Sequence, residues 1–332
     1  MVEQGIWFEK LFGFKEGNYH WTQSQFNLSN GQLESLHNGR SYRVGRFSTP
    51  TVAELRARVK NHADRSTLSH KVIGDALDLH ADPKNAGDMF QVASQFNALE
   101  FASAEATPED GITRYAYDRT QGPACALAAA AGTVYRNYFI EIEGRTGQTQ
   151  HSQINNLETL EKKLAGGPYW QVKNGYTDST QSLMRTLASE LEKYNRNDLV
   201  GAVRLGLQEQ TQVTFSNRFN VLKPAHFVSQ VFCSAISCAY SRVEISSWEP
   251  LARIVLEAAY EGTLLAAAAD RDNGTGTGKV WLTFLGGGVF GNDDEWIAAS
   301  IEKALERTKG LGLDIRICHF RELQSPYSEI AI

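Results

Sequence analysis

The chain is poor in cysteine, has no excess of basic charge and contains no long apolar run, and each shortage excludes something. Its four cysteines, Cys125, Cys233, Cys238 and Cys318, are scattered in apolar segments without the paired spacing of a zinc site, so they read as buried thiols in a reducing compartment. Lysine and arginine number 33 against 38 aspartates and glutamates, a formal net charge of −5, which gives no footing to a nucleic-acid partner. No segment approaches the roughly 20 uninterrupted apolar residues of a membrane span, so no membrane partner is expected. The opening MVEQGIWFEKLFGF lacks a cationic stretch followed by a long apolar run; no signal peptide is expected. A cytoplasmic location is therefore expected, unless export uses a route without a cleavable signal. The eight histidines show neither metal-ligand nor triad spacing, and no metal or cofactor is expected.

What is present is the composition of a soluble globular protein, 42% hydrophobic and 21% charged over 332 residues, long enough for one large domain or two ordinary ones. The first 60 residues read as short strands and turns. Ser48-Thr49-Pro50-Thr51 then supplies hydroxyl caps and an early proline for a helix over VAELRARV. Asp88–Phe96 (DMFQVASQF) reads as a strand, and Gly122-Pro123 opens a helix over ACALAAAAGTVYRNYF. Between them lies a loop of about two dozen residues, a length that in compact domains signals function or disorder. Asp110, Arg114, Tyr115, Asp118 and Arg119 within it favour function. Residues 145–200 read as a helical insertion: a loop RTGQTQHSQ, a helix over INNLETLEKKLAG, and a longer amphipathic helix with Leu183, Leu187 and Leu191 on one face. The final third alternates strand and helix: FVSQVFCSAISCAYS, SSWEPLARIVLEAAYEGTLLAAA, KVWLTFL, DDEWIAASIEKALERT, LDIRICHF. Such alternation requires an α/β fold with a largely parallel sheet covered on both faces.

The sharpest local signal is Gly286-Gly287-Gly288-Val289-Phe290-Gly291-Asn292, joining a strand to a helix. Glycines there let the backbone approach a phosphate and present the free N–H groups of the helix's first turn. The alternative is a tight turn at the sheet edge. Asp293 and Asp294 lie in that first turn and must point away from any diphosphate. The same residues satisfy G-x-G-x-x-G, so a nicotinamide-dinucleotide oxidoreductase is a rival. That fingerprint belongs in a first βαβ unit, whereas here a single further strand remains before Ile332. Gly274–Lys279 (GTGTGK) is P-loop-like but precedes a strand and has Val280 after the lysine; it reads as a flexible loop.

Lys71–Asp75, the strand ending in Ser94-Gln95-Phe96-Asn97, the long loop, the alanine-rich helix and the late Gly-Val-Phe-Gly-Asn turn occur in an order that resembles the macrodomain family, over roughly residues 70–140 and 225–320. More narrowly, QVASQFNALEF, TPEDGITRYAYDRTQGPA and the following helix resemble the poly(ADP-ribose) glycohydrolase-related group, and within it the MavL-type ADP-ribosyl-ubiquitin (arginine) hydrolases. The resemblance implies a single macrodomain-like domain over 1–332, a three-layer α/β/α fold with a mixed, largely parallel central sheet. It implies an N-terminal extension over 1–65, the insertion at 145–200, and a core over about 66–144 and 201–325. The chain departs from ordinary macrodomains in having no triple glycine after Asn97, and from the glycohydrolases in lacking Gln-Glu-Glu, which argues against polymer cleavage.

By the same resemblance Asp75 accepts from the adenine amine, Asn97 holds the distal ribose, Arg119 and Gly122 face the ligand, and Gly287, Gly288, Val289, Phe290, Gly291 and Asn292 hold the diphosphate. Asp110 and Asp118 are the carboxylates assigned to catalysis. Cleaving an N-glycosidic bond develops oxocarbenium character; a carboxylate can orient the departing guanidinium or activate the attacking water. Each residue has a plainer reading: Asp75 as a solvated turn residue, Asn97 as a strand-end cap, Asp110 as the start of an Asp-Gly turn, Asp118 as a partner of Arg114 or Arg119. Phe96, Phe290 and Trp296 can flank the ligand or belong to the core. The expected activity is removal of mono-ADP-ribose from arginine of a protein, ubiquitin foremost. The alternative is a non-catalytic reader of ADP-ribose or ADP-ribosylated protein.

Overall fold

The computed structural model describes residues 4–60, 62, 64–216 and 219–332. Seven strands form the central sheet: β1 (Arg46–Ser48), β2 (Thr67–Ile73), β3 (Met89–Ala93), β4 (Gly206–Gln212), β5 (Phe227–Cys233), β6 (Lys279–Leu282) and β7 (Asp314–Phe320). Their order across the sheet is β1-β4-β5-β3-β6-β7-β2. β5, β3, β6, β7 and β2 run parallel; at one side β4 pairs antiparallel with β5, and β1 antiparallel with β4. Burial follows the pleat. On β3, Phe90 stacks on His80 at 3.9 Å, while its neighbour Gln91 donates to Ala259 and Thr263 in the opposite layer.

One layer holds α2 (Ala76–Ala81), α3 (Gln121–Ala128) and α4 (Ala130–Tyr138). The other holds α1 (Val52–Arg58), α5 (Gln181–Leu191), α6 (Arg196–Ala202), α7 (Ile245–Asp272) and α8 (Asp294–Thr308). This is a three-layer α/β/α fold with a mixed, largely parallel sheet. α7 runs 28 residues, yet no described helix is long and apolar enough to cross a membrane. Its buried Glu257 is paired with Arg196 and Lys303, and its Glu261 with Arg56 and Arg307. All four cysteines are buried free thiols.

Several local expectations change. The alanine-rich helix is two helices, broken at Ala129 (φ −116°, ψ 57°). Thr214 takes over the helical ladder there: its N–H donates to the Ala128 carbonyl and its hydroxyl accepts from Ala130. Over INNLETLEKKLAG the helix is confined to Glu158–Lys163, because Asn155 caps Leu157 and Gly166-Gly167-Pro168 follows. On α5 the inward face is Met184, Leu187 and Leu191, while Leu183 is exposed. The GTGTGK segment is fastened, not flexible: Thr277 donates to Asp88 at 2.7 Å, and Thr275 bonds Asp270. The long loop contains two short 3-10 turns, Pro108–Asp110 and Thr113–Tyr117. It shares an aromatic core with the N-terminal segment, where Trp7, Phe8 and Phe12 pack with Phe101, Ile112 and Tyr115.

Candidate functional site

Ligands of open parallel α/β sheets lie outside the carboxyl ends of the strands. Along that edge the strand order sets the loops out in a row. The loop after β5 (234–244) comes first, then the long loop after β3, the glycine loop after β6, the segment after β7, and Gly74-Asp75 after β2.

In the glycine loop, the backbone N–H groups of Gly286, Gly287, Gly288, Val289 and Phe290 donate to no protein acceptor among the described residues. Gly286 (φ +77°) and Gly291 (φ +71°) shape the turn, and a Cβ on Gly286 would lie 2.4 Å from that of Ala235. Asn292 is buried; its N–H donates to Gly286 O at 2.9 Å and its Nδ2 to Ile236 O at 2.7 Å, so it braces the loop from beneath. Gly287, Gly288 and Val289 are exposed. Phe290 is buried, its ring 5.4 Å from Tyr176 and 5.7 Å from Tyr240. Both acids of the following turn are occupied. Asp293 caps α8 through the Glu295 N–H, and Asp294 accepts from the Tyr327 hydroxyl at 2.6 Å. Tyr327 in turn stacks on Phe284 at 3.6 Å, so the C-terminal segment holds one carboxylate aside.

The acidic loop is arranged differently. Asp110 is exposed and closes a capping box: its Oδ2 accepts from the Thr107 N–H at 2.9 Å, and Gly111 follows at φ +77°. Asp118 is half-buried and bonds neither Arg114 nor Arg119. Its Oδ1 accepts from the Thr120 N–H and hydroxyl at 2.8 and 2.7 Å, and Oδ2 has no partner among the described residues. Arg119 is exposed with a free guanidinium. Thr120 makes no side-chain cap, so the first N–H groups of α3 stay open. Gly122 is required for packing: a Cβ there would lie 1.8 Å from Ala93 O. Gln121 fastens the same junction, accepting from Ala93 N–H and donating to Gln91 O, both at 2.8 Å.

Asn97 follows β3 but is buried at 1% exposure, its amide donating to Gln153 at 2.8 Å and its carbonyl accepting from Leu99. Gln153 continues to Asn174, beside a polar cavity of about 310 Å³ on the insertion. Asp75 caps α2 by accepting from Leu77 N–H and is exposed. Phe96 and Trp296 belong to the core. The structure thus places Asp118, Arg119, Gly122 and the glycine loop on one edge, Asp75 at its far end, and Asp110 against the N-terminal segment 19–24.

Sequence reading missed the buried pair beneath this site. The Glu100 carboxylate accepts from Ser94 at 3.2 Å and Arg136 at 3.4 Å, and Arg136 also donates to Ala98 O and lies over the Phe232 ring at 3.6 Å. Burial pushes the Glu100 carboxyl up to about 7 against the pull of Arg136. The signal was available: a lone acid in NALEF and a lone base in an alanine-rich helix. Glu16 was missed as well; it accepts from the Ile112 and Thr113 N–H groups and the Tyr138 hydroxyl. Tyr176, on a short hairpin strand of the insertion, and Tyr240, in the 3-10 turn Cys238–Tyr240, come from separate segments, and no local pattern announces them.

No protein-family model matches the chain, and no curated protein sequence matches it. Among solved structures it is similar to poly(ADP-ribose) glycohydrolase from Deinococcus radiodurans in complex with ADP-ribose, at TM-score 0.46 and 14% identity over 86% of this chain and 91% of that one. It is also similar to poly(ADP-ribose) glycohydrolase from Thermomonospora curvata, at TM-score 0.44 and 12% identity over 99% and 96% of the two chains. The latter's complex with the inhibitor ADP-HPD aligns at TM-score 0.43 and 11% identity over the same shares.

Proposed function

We propose that this protein binds ADP-ribose along the carboxyl edge of the sheet and hydrolyses it from a modified arginine of a protein, ubiquitin being the first candidate. The observation that carries the reading is the run of five unpartnered N–H groups from Gly286 to Phe290, beside the amino end of α8. Consecutive backbone donors next to a helix N-terminus form an anion cradle, and a diphosphate matches it. The dinucleotide-oxidoreductase rival loses ground, since the glycine loop follows the sixth of the seven sheet strands in chain order and only β7 comes after it, whereas that fingerprint opens a first βαβ unit.

On this reading Asp75 takes the adenine amine, Arg119 and the open first turn of α3 approach the ligand, and Asp118 is the working carboxylate. Its free Oδ2 would orient the guanidinium or activate water as the anomeric carbon gains oxocarbenium character. Asp110 would act by fixing the loop, unless its turn opens on binding. Engagement of Asn97 would need its bond to Gln153 to yield. The burial of Asn97 and the capping bond of Asp110 favour, as a second reading, a non-catalytic binder using the same cradle.

Incubation with ubiquitin ADP-ribosylated on arginine, following released ADP-ribose by mass, decides between them. The hydrolase reading expects turnover that falls at least ~10²-fold in Asp118→Asn with ADP-ribose affinity retained; binding without turnover in the wild type leaves the reader. The cradle is tested at Gly288, where a new Cβ meets nothing within 4 Å. Gly288→Val should abolish ADP-ribose binding in calorimetry at unchanged melting temperature, and retained affinity would sink the assignment. Gly291 is a poorer probe, because its positive φ and the Ala239 contact at 3.1 Å would disturb the fold itself.

A further inference from the structure

The row of loops along the carboxyl edge has a direction. Adjacent strands lie roughly 5 Å apart. Asp75 follows β2 at one end, and the anion cradle follows β6, two positions inward. Asp118 stands just before α3, whose Gly122 rests on the end of β3, one position further. An ADP-ribose laid with adenine at Asp75 and diphosphate on the cradle brings its distal ribose over β3. Whatever is attached to that ribose then falls over the next strand, β5, and its following loop.

That loop presents Tyr240. Its ring lies 5.0 Å from Tyr176 and 5.7 Å from Phe290, and those two are 5.4 Å from each other, so three rings, from a hairpin strand of the insertion (Tyr176–Asp178), the 3-10 turn Cys238–Tyr240 and the glycine loop, meet at one point. The junction is fastened by backbone: Ala239 N–H donates to Phe290 O at 3.0 Å, and Thr177 N–H to the Ser237 hydroxyl at 2.8 Å. Tyr176 is buried, with its hydroxyl on Phe101 O at 2.6 Å, whereas Tyr240 is 43% exposed and its hydroxyl has no partner among the described residues. Phe101 packs on Tyr115, whose carbonyl accepts from the Asp118 N–H, so the backbone of Asp118 is tied to the residue that packs on Phe101. Burial, then Tyr240 and the Asp118 carboxylate, raise the Tyr176 phenol above its ordinary range.

Resting on the ADP-ribosyl hydrolase reading, we infer that Tyr240, backed by Tyr176 and Phe290, forms the leaving-group subsite together with the Asp118 carboxylate and selects a planar cationic acceptor. An aromatic face attracts a guanidinium through its quadrupole, and a carboxylate oxygen accepts its N–H donors. A neutral seryl or ester-linked acceptor gains neither.

The test compares wild type, Tyr240→Ala and Tyr240→Phe on one peptide carrying ADP-ribose on arginine and on the same peptide carrying it on serine. KM, kcat and the Kd of free ADP-ribose are measured for each. In Tyr240→Ala we expect kcat/KM on the arginine-linked peptide to fall at least ~10-fold, mainly through KM, with less than ~2-fold change on the serine-linked peptide and in free ADP-ribose affinity. Tyr240→Phe, which keeps the ring, should restore the selectivity. Equal losses on both peptides, or no loss on the arginine-linked one, overturn the inference. Should wild type release nothing, the hydrolase reading fails separately, and the subsite is judged by binding. The arginine-linked peptide should bind more tightly than free ADP-ribose, and Tyr240→Ala should erase the difference; no gain in the wild type overturns the subsite too.

Discussion

The two loops that would embrace the ligand are held by opposite ends of the chain, and both combine aromatic packing with hydrogen bonds. The acidic loop is fastened by the N-terminal segment through polar contacts, with Glu16 accepting from Ile112, Thr113 and Tyr138, and by the buried Glu100–Arg136 pair beneath it. The glycine loop is braced by Asn292 from below and by the C-terminal Tyr327, an aromatic stack with a single hydrogen bond. Interior polar contacts are costly to break, because each leaves a desolvated partner; the buried Tyr327 bonds an exposed Asp294 carboxylate, which water can serve once that bond is lost. The acidic loop should therefore behave as part of the fold, and the glycine loop as an adjustable receptor.

Glycines give the widest contrast. Gly122→Val forces a side chain onto Ala93 O, 1.8 Å from the Cβ position, and should cost at least about 4 kcal/mol or prevent folding. Gly288→Val meets open space and should leave the thermal melt unchanged while removing ligand. Equal melting temperatures for the two would erase the distinction. Next in size is Arg136→Met, which strands Glu100 without its cation and should cost about 3–5 kcal/mol in denaturant unfolding. A loss under 1 kcal/mol would mean that the pair does not hold the loop.

Below α3 the buried His80 supplies a pH test. Its Nδ1 donates to Ala76 O, and its Nε2 accepts from Gln230, which also donates to the Cys125 carbonyl of α3. Burial lowers its pKa to about 4 from the model-peptide 6.5. With the folded value depressed, the unfolded chain binds the extra proton between those values. Stability from keeping His80 neutral is therefore present above pH 6.5 and is lost as pH falls toward 4. The full difference is about 3 kcal/mol. An NMR titration placing the His80 ring near 6.5 would refute this. The smallest effect belongs to the C-terminal brace. Tyr327→Phe removes the bond to Asp294 and should cost about 1 kcal/mol in stability. ADP-ribose binding should weaken several-fold as Asp294 is freed toward the diphosphate, and unchanged affinity would separate the brace from the cradle.

Periodicity and turn chemistry were sufficient for the architecture, because they are local. Alternating apolar strands and amphipathic helices in the final third specify a covered parallel sheet, and the glycine-rich segment does join a strand to a helix at the carboxyl edge. The hydroxyl cap before VAELRARV was legible for the same reason; the structure puts it on Thr51 and adds Glu54 to close a capping box. Contacts between distant segments were not. The break at Ala129 depends on Thr214, some 85 positions later, so helix propensity alone ran through it. The burial of Asn97 depends on Gln153 from the insertion, and the different settings of Asp110 and Asp118 depend on which neighbours the loop meets. The sequence by itself determined which backbone can bend and which faces turn inward, since those follow from φ preference and hydrophobic period. Tertiary structure alone decided which carboxylate keeps a free oxygen, which aromatic rings converge and which charges are buried, because desolvation and pairing exist only once remote segments meet.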